Sequence, residues 1–231
     1  MPRGAPVTLL RKVPIVAAAA DRLPVFTLTF SHPPSVEQFR MDMGDVVKIV
    51  VPAYKPKSYS VSAMRDGEFD VTFKVYPNGR ASGYLDRLAV GDEVFVFRKG
   101  RKVRVPGRLV GIVAYGVGAT EAVPIAEAEV AKGDAELVTL LWASRTVADT
   151  FWGDRLESLA ATGKFRLVSM YSREFCEGAL HGRVTPQVLR DVFGGEEDIR
   201  FLIVGTKEMM AQTDLMLADV GYPMPATALL Q

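Results

Sequence analysis

Residues 55 to 63 read KPKSYSVSA, and the chain continues through TFKVY (72–76), NGRASGYLDRL (78–88) and GDEVFV (91–96). The first, second and fourth pieces are short, rich in Val, Phe, Tyr and Ser or Thr, and bounded by Pro, Gly or Asp, which reads as strand punctuated by turns. Side chains alternate faces along a strand, so Lys57 and Tyr59 point one way and Ser60 the other, unless a twist or bulge intervenes. The third piece allows a single helical turn over 82–88, with Tyr84, Leu85 and Leu88 on one face. Working outward, the same grammar places strands at 7–13, 25–30, 46–51, 59–63, 69–76 and 93–97. Six short strands with almost no helix between them predict an antiparallel β-barrel.

The grammar changes after Gly107. Apolar runs at 109–114, 137–142, 165–171 and 201–204 each precede a segment with helical spacing, at 121–131, 151–161, 186–193 and 207–220. Alternating strand and helix predicts a parallel, Rossmann-like α/β sheet that binds ligands beyond the carboxyl ends of its strands. With the boundary near Val105, Pro106 and Gly107, the chain divides into a β domain over 1–105 and an α/β domain over 106–231.

Composition excludes several functions. The 231 residues hold 28 Lys plus Arg against 27 Asp plus Glu, a net charge of +1, and this gives no bulk field that would seek nucleic acid. The single cysteine, Cys176, forms no intrachain disulfide and supplies neither an iron–sulfur cluster nor a structural zinc site. With only His32 and His181 beside it, no metal centre is expected. The longest uncharged apolar run, 109–120, is interrupted by Gly111, Gly116 and Gly118 and falls short of the roughly 20 residues a transmembrane helix needs. The first twenty residues carry Arg3, Arg11 and Lys12 and no acid; VTLLRKV is read as a first strand in preference to a targeting segment. The expectation is an intracellular soluble protein, of the cytoplasm or of an organelle such as a plastid or mitochondrion.

The four pieces, in that order, resemble the ferredoxin-NADP reductase superfamily, and within it cytochrome b5 reductase and the flavin domain of nitrate reductase. The resemblance runs from about residue 7 to about residue 223. It implies a flavin domain followed by an NAD(P) domain, with FAD and NAD(P)H as cofactors. The family's R-x-Y-[ST] strand falls on Lys57, Tyr59 and Ser60. It implies that Tyr59 packs on the isoalloxazine, that Ser60 hydrogen-bonds near flavin N5, and that a basic residue faces the phosphates. Lys57 stands where an arginine is usual, and an ammonium lacks the two-pronged contact of a guanidinium. The G-x-x-[ST] turn falls on Gly79, Ala81 and Ser82, which implies a pyrophosphate site at a helix start capped by Ser82. Lys74 and Val75 are implied as backbone contacts to the flavin.

In the second half, AYGVGATEAVP resembles the family's glycine-rich turn and implies nucleotide contacts from Gly116, Gly118 and Thr120. Tyr115, Val117 and Glu121 depart from the usual Gly, hydroxyl residue and Pro. The resemblance adds Ser144 and Arg145 at the next strand end, then Ser172 and Arg173, which suit an adenosine 2'-phosphate. Gly205 and Met209 match C-G-x-x-x-M, with Val204 in place of its cysteine. Met209, Met216 and Val220 read as core packing. His181 reads as a loop residue, and the last ten residues lack a terminal aromatic.

The implied activity is hydride transfer from NAD(P)H to FAD, with electrons passed to a separate acceptor: a haem protein, an iron–sulfur protein or a small molecule. The alternative is a binding or assembly subunit that keeps the fold but has lost pyridine-nucleotide chemistry. Arg98, Lys99, Arg101, Lys102, Arg104 and Arg108 crowd one short segment. It reads either as a docking patch for an acidic electron-transfer partner or as a solvated hairpin.

Overall fold

The computed structural model describes residues 4–31, 45–101, 107–194 and 198–222, with the side chains of residues 100 and 101 left aside. The chain forms two compact units that divide between residues 102 and 103.

The first unit is a closed antiparallel barrel in the order β1-β2-β5-β4-β3-β6. Its strands are β1 (Ala5–Val16), β2 (Val25–Ser31), β3 (Asp45–Ile49), β4 (Lys57–Arg65), β5 (Glu68–Lys74) and β6 (Glu93–Arg101), with α1 (Arg80–Arg87) before the last. Inward alternation fills the barrel with Val7, Leu9, Leu28, Phe30, Val47, Ile49, Val61, Phe69 and Val71, closed at one end by Leu85 and Leu88. Phe30 and Phe69 stack at 5.5 Å across the β2–β5 pair. Each such buried side chain contributes about 1.5–3 kcal/mol. The stretch read as VTLLRKV lies in β1.

One irregularity shapes this unit. Residues Lys57 to Ser60 of β4 pair with β3, whereas from Val61 onward β4 pairs with β5, with a bulge between Val61 and Ala63. Meanwhile Thr72, Phe73 and Lys74 of β5 pair only with β2. Among the described residues, the β4–β5 ladder therefore ends at Val61 and Val71, with the first half of β4 held by β3 and the last three residues of β5 by β2. The Ser62 and Thr72 hydroxyls, 2.9 Å apart, tie the apex.

The second unit is a parallel sheet in the order β10-β9-β8-β7-β11. It is built from β7 (Leu109–Tyr115), α2 (Ala119–Lys132), β8 (Leu137–Ser144), α3 (Gly153–Ala160), β9 (Phe165–Tyr171), β10 (Leu180–His181), α4 (Pro186–Phe193), β11 (Ile199–Val204) and α5 (Lys207–Val220). Three sequence expectations change here. His181 sits on a short exposed edge strand, not in a loop, because it pairs in parallel with Tyr171. Helix α3 begins after Trp152, whose φ of 63° keeps residues 151 and 152 out of the helix. On α5 the fully buried stripe is Met210, Thr213 and Leu217, while Met209 is 41% exposed at the helix start. Met216 and Val220 pack only partly against that core. Of the terminal tail, Tyr222 is buried against Phe201, and the remaining residues lie outside the described residues.

Residues 98 to 101 continue β6 along β3, with Lys99 as the extra residue of a bulge. Arg98 pairs with the fully buried Asp45 at 3.1 Å, and Arg108 pairs with Glu136 at 2.6 Å. Lys102 and Arg104 lie outside the described residues, as do Val105 and Pro106 of the expected boundary. Among the described residues no helix is long and apolar enough to cross a membrane.

Candidate functional site

In the barrel unit, the expected residues gather at the splayed end. Tyr59 lies in the half of β4 that leaves β5, packs against the barrel core and meets Phe73 edge-on at 6.2 Å. Ser60 is the last residue of β4 paired to β3, one step before the strand changes partner. The bulge expected to reconcile Tyr59 and Ser60 occurs two residues later, and the change of ladder opens the edge beside both. Lys74 ends β5 opposite Val25, and the Val75 N–H donates to the Pro24 carbonyl at 3.0 Å, leaving the Val75 carbonyl as its outward group.

The helix start departs from the expected cap. Gly79 is the N-cap of α1 and makes no side-chain bond. Ser82 sits three residues in, is buried, accepts from the Tyr76 N–H at 3.1 Å and donates to the Gly79 carbonyl at 3.3 Å. A Cβ at Gly79 would collide with that hydroxyl. Ser82 thus fastens the turn backward, while the first-turn amides, Ala81's included, stay without intrahelical partners, as helix geometry requires.

Two residues that sequence reasoning passed over stand beside this site. Tyr54, in the loop before β4, has the Lys57 ammonium 5.6 Å and the Arg80 guanidinium 5.4 Å from its ring centroid. Arg80 lay inside the quoted NGRASG, but nothing local tied it to Tyr54.

Burial pushes the Tyr59 hydroxyl up to about 12, and desolvation likewise raises Tyr76, Tyr84, Tyr115 and Tyr222. Tyr59 is therefore a neutral donor at any physiological pH. A proton held more tightly when folded contributes stability that is intact below the ordinary tyrosine value of about 10 and is lost as pH rises through the folded value. Urea midpoints should accordingly fall between about pH 10 and about pH 12, and less steeply in Tyr59→Phe. An unchanged slope in that variant would contradict the burial of the hydroxyl.

In the second unit the expected nucleotide residues line the carboxyl ends of the strands. After β7, residues Gly116–Gly118 form a single 3-10 turn leading into α2, and Gly116 takes a φ of 52° that disfavours any side chain. The Trp142 indole donates to the Gly116 carbonyl at 2.8 Å, and the Thr120 hydroxyl donates to the Val117 carbonyl at 2.9 Å. Gly118 serves packing: a Cβ there would sit 2.8 Å from the Val204 carbonyl of β11. Glu121 is buried in the first turn of α2 and has a partner, so it presents no bare charge.

The ends of β8 and β9 are zipped together. Ser172 N–H donates to the Ser144 carbonyl at 3.0 Å and Arg173 N–H to the Arg145 carbonyl at 2.9 Å, so all four expected residues form one cluster. The Arg145 guanidinium is oriented by Asp149 at 2.8 Å. The Ser144 hydroxyl is buried at this strand end with no hydrogen-bond partner. Leaving such a group unpaired is costly, so this hydroxyl carries unmet hydrogen-bonding capacity at the strand end. Gly205 follows β11, with the Tyr115 ring 2.9 Å and Met209 Cβ 3.4 Å from where its own Cβ would stand. The Tyr115 hydroxyl lies 2.6 Å from that of Thr213 on α5.

Comparison with known proteins agrees with this geometry. The sequence model of the oxidoreductase FAD-binding domain matches residues 22–102, and that of the oxidoreductase NAD-binding domain matches residues 112–214. The chain is 32% identical over 188 residues to NADH-cytochrome b5 reductase 1 of Emericella nidulans, covering 76% of this chain and 59% of that protein. It is 29% identical over 188 residues to the Aspergillus oryzae protein of the same name, covering 76% of this chain and 63% of the other. The chain thus spans about three fifths of the length of these relatives. In fold it is similar to the cytochrome b5 reductase domain of Ulva prolifera nitrate reductase, with a TM-score of 0.79 at 19% identity over 97% of this chain and 96% of that one. It is also similar to a ferredoxin NADP+ reductase from Neisseria gonorrhoeae with bound FAD and NADP, with a TM-score of 0.78 at 20% identity over 96% and 93%. With an FAD-binding domain matched on the barrel and an NAD-binding domain on the parallel sheet, the chain belongs to the ferredoxin-NADP reductase superfamily.

Proposed function

We propose that the chain is an NAD(P)H-dependent flavoprotein oxidoreductase, passing electrons to an acceptor outside these residues. The observation that carries this reading is the FAD-binding match over the splayed barrel and the NAD-binding match over the sheet whose strand ends hold the buried, unpartnered Ser144 hydroxyl.

The residues present fit both cofactors. The open edge between β4 and β5 offers backbone donors and acceptors to a planar heterocycle, and the half-buried Tyr59 ring offers it an apolar face. Ser60 is assigned the hydrogen bond near flavin N5, and Lys74 and Val75 contribute backbone groups. Lys57 and the first-turn amides of α1, reached past Gly79, Ala81 and Ser82, take the phosphates. The flavin, when bound, accepts a hydride from nicotinamide and releases its electrons onward. On the sheet, Gly116, Gly118 and Thr120 shape the turn beside the dinucleotide, and Gly205 and Met209 flank the nicotinamide end. Ser144 and Arg145, with Ser172 and Arg173, receive the adenosine phosphates. The chain's chemical task is to bind and orient, since the cofactors carry the redox chemistry.

The acceptor is a haem protein, an iron–sulfur protein or a small molecule, because one cysteine cannot ligate a cluster. The name of the relatives, NADH-cytochrome b5 reductase, favours haem. Arg98 and Arg108 are already paired to carboxylates, so an acidic partner would find Lys99 as the exposed described cation of that segment.

A second reading draws on Tyr115, whose ring takes up room over Gly205. In that reading flavin is retained and pyridine-nucleotide chemistry is lost. One experiment separates the two: the purified protein should be yellow and bleach anaerobically on adding NADH or NADPH. A yellow protein that bleaches with neither favours the second reading, and a protein colourless even with added FAD overturns both.

A further inference from the structure

Where β4 parts from β5, side chains hold the wall of the barrel. The ladder pairs Val61 with Val71 and Ala63 with Asp70, so Ser62 is the extra residue of the bulge. Its hydroxyl lies 2.9 Å from that of Thr72, and the Thr72 hydroxyl lies 2.9 Å from that of Thr27, its direct partner on β2. Val61, Val71 and Leu28 fill the barrel, and alternation turns Thr72 and Thr27 to the other face of the wall. Ser62 and Thr72 are 1% and 4% exposed. A hydroxyl has one proton to give, so Thr72, in the middle, donates to one neighbour and accepts from the other. The result is one polarised line across β4, β5 and β2, laid beside the last rung of the β4–β5 ladder and two residues from Ser60. A slip of one residue here would exchange the faces of Tyr59 and Ser60.

We infer that Ser62, Thr72 and Thr27 are positioning residues for the flavin ring: their hydroxyl line fixes the point at which β4 leaves β5, and so the placement of Tyr59 and Ser60. The inference rests on the flavin reading above and deepens it. The line acts on the strand that meets the ring and not on the phosphates, so its loss is felt alike by every flavin, whatever its charge. A rigid ring held by a few groups tolerates little misplacement of them. Thr29 supplies the comparison. Its hydroxyl makes the same kind of cross-strand bond, donating to Asp70 at 2.7 Å on the same β2–β5 pair, but on the side where β4 and β5 remain paired.

The test is titration of the apoprotein with FAD and with riboflavin, which lacks the diphosphate, read by flavin fluorescence beside the urea midpoint of each variant. Thr72→Val removes both bonds at nearly constant shape. It should weaken FAD and riboflavin by the same factor, about fivefold or more, with the salt dependence of FAD binding unchanged. Thr72→Ser keeps the hydroxyl and should restore both affinities. Ser62→Ala should act in the same direction and add little to Thr72→Val, since both break one line. Thr29→Val should lower the urea midpoint and leave both affinities at the wild-type value. If Thr72→Val does not fold, Ser62→Ala, which leaves the bond between Thr72 and Thr27, is held to the same outcomes. A Thr72→Val protein that loses stability but binds both flavins as the wild type does, or a Thr29→Val protein that loses flavin as Thr72→Val does, overturns the inference and leaves the flavin reading in place. A wild-type protein that binds neither flavin overturns the flavin reading itself.

Discussion

Trp142→Ala should destabilise the parallel-sheet unit by about 3–5 kcal/mol, the cost of deleting a large buried aromatic and leaving its cavity. Trp142 is 1% exposed and meets Phe151 edge-on at 5.1 Å, and Phe151 meets Trp152 the same way at 4.9 Å. The indole also donates to the Gly116 carbonyl at 2.8 Å, so the residue that fills the core of β8 pins the turn after β7. These two roles separate by substitution. Trp142→Phe keeps most of the volume and drops the donor, a loss of about 1 kcal/mol for the bond itself. It should weaken NADPH or NADH binding several-fold while FAD affinity, which belongs to the barrel, stays unchanged. Urea denaturation and nucleotide titration of the two variants check this. A Trp142→Phe protein that lost FAD and nucleotide equally would refute the local role of the hydrogen bond.

The contrast between Trp142 and Arg80 marks what a sequence exposes. Alternation in KSYSV, the glycines of AYGVG and the apolar runs of the second half are local patterns, and each folds as its period demands. The partner exchange of β4 after Ser60 is not local. It depends on β3 and β5 claiming different halves of one strand, and no side-chain pattern in 57–65 encodes which neighbour holds which half. The same limit hid Arg80 beside Tyr54, since 26 positions separate them and only the barrel's closure joins them. On α5 the period was legible but the phase was not: Met209 and Met210 are adjacent methionines, and sheet packing turned the second inward. At Trp152 a left-handed residue replaced the expected first helical turn of α3, and nothing in FWGD forces that choice in advance.

Arg98→Ala decides what the basic segment is for. A docking patch predicts that removing one of its cations slows electron delivery to an acidic acceptor and strengthens with falling salt, with little effect on folding. The structure leads to the opposite expectation. Asp45 is 0% exposed, Arg98 reaches it at 3.1 Å, and the Arg98 Nε is itself buried without a partner. Removing the guanidinium takes one partner from a buried carboxylate inside the β3–β6 pair, and breaking a buried pair from one side costs up to about 3–5 kcal/mol, reduced by the other interaction that Asp45 keeps. Asp45→Asn in the same background takes the buried charge away, so the double variant should recover part of the loss. Non-additivity of this size is the signature of a direct pair, and urea midpoints of the two single variants and the double variant measure it. If Arg98→Ala instead melts like the wild type and slows only the transfer of electrons to an acidic acceptor, the segment is a docking surface and the ion pair contributes little. Arg98 would then be a surface cation that happens to lie near Asp45, and the bulge at Lys99 would be what presents it.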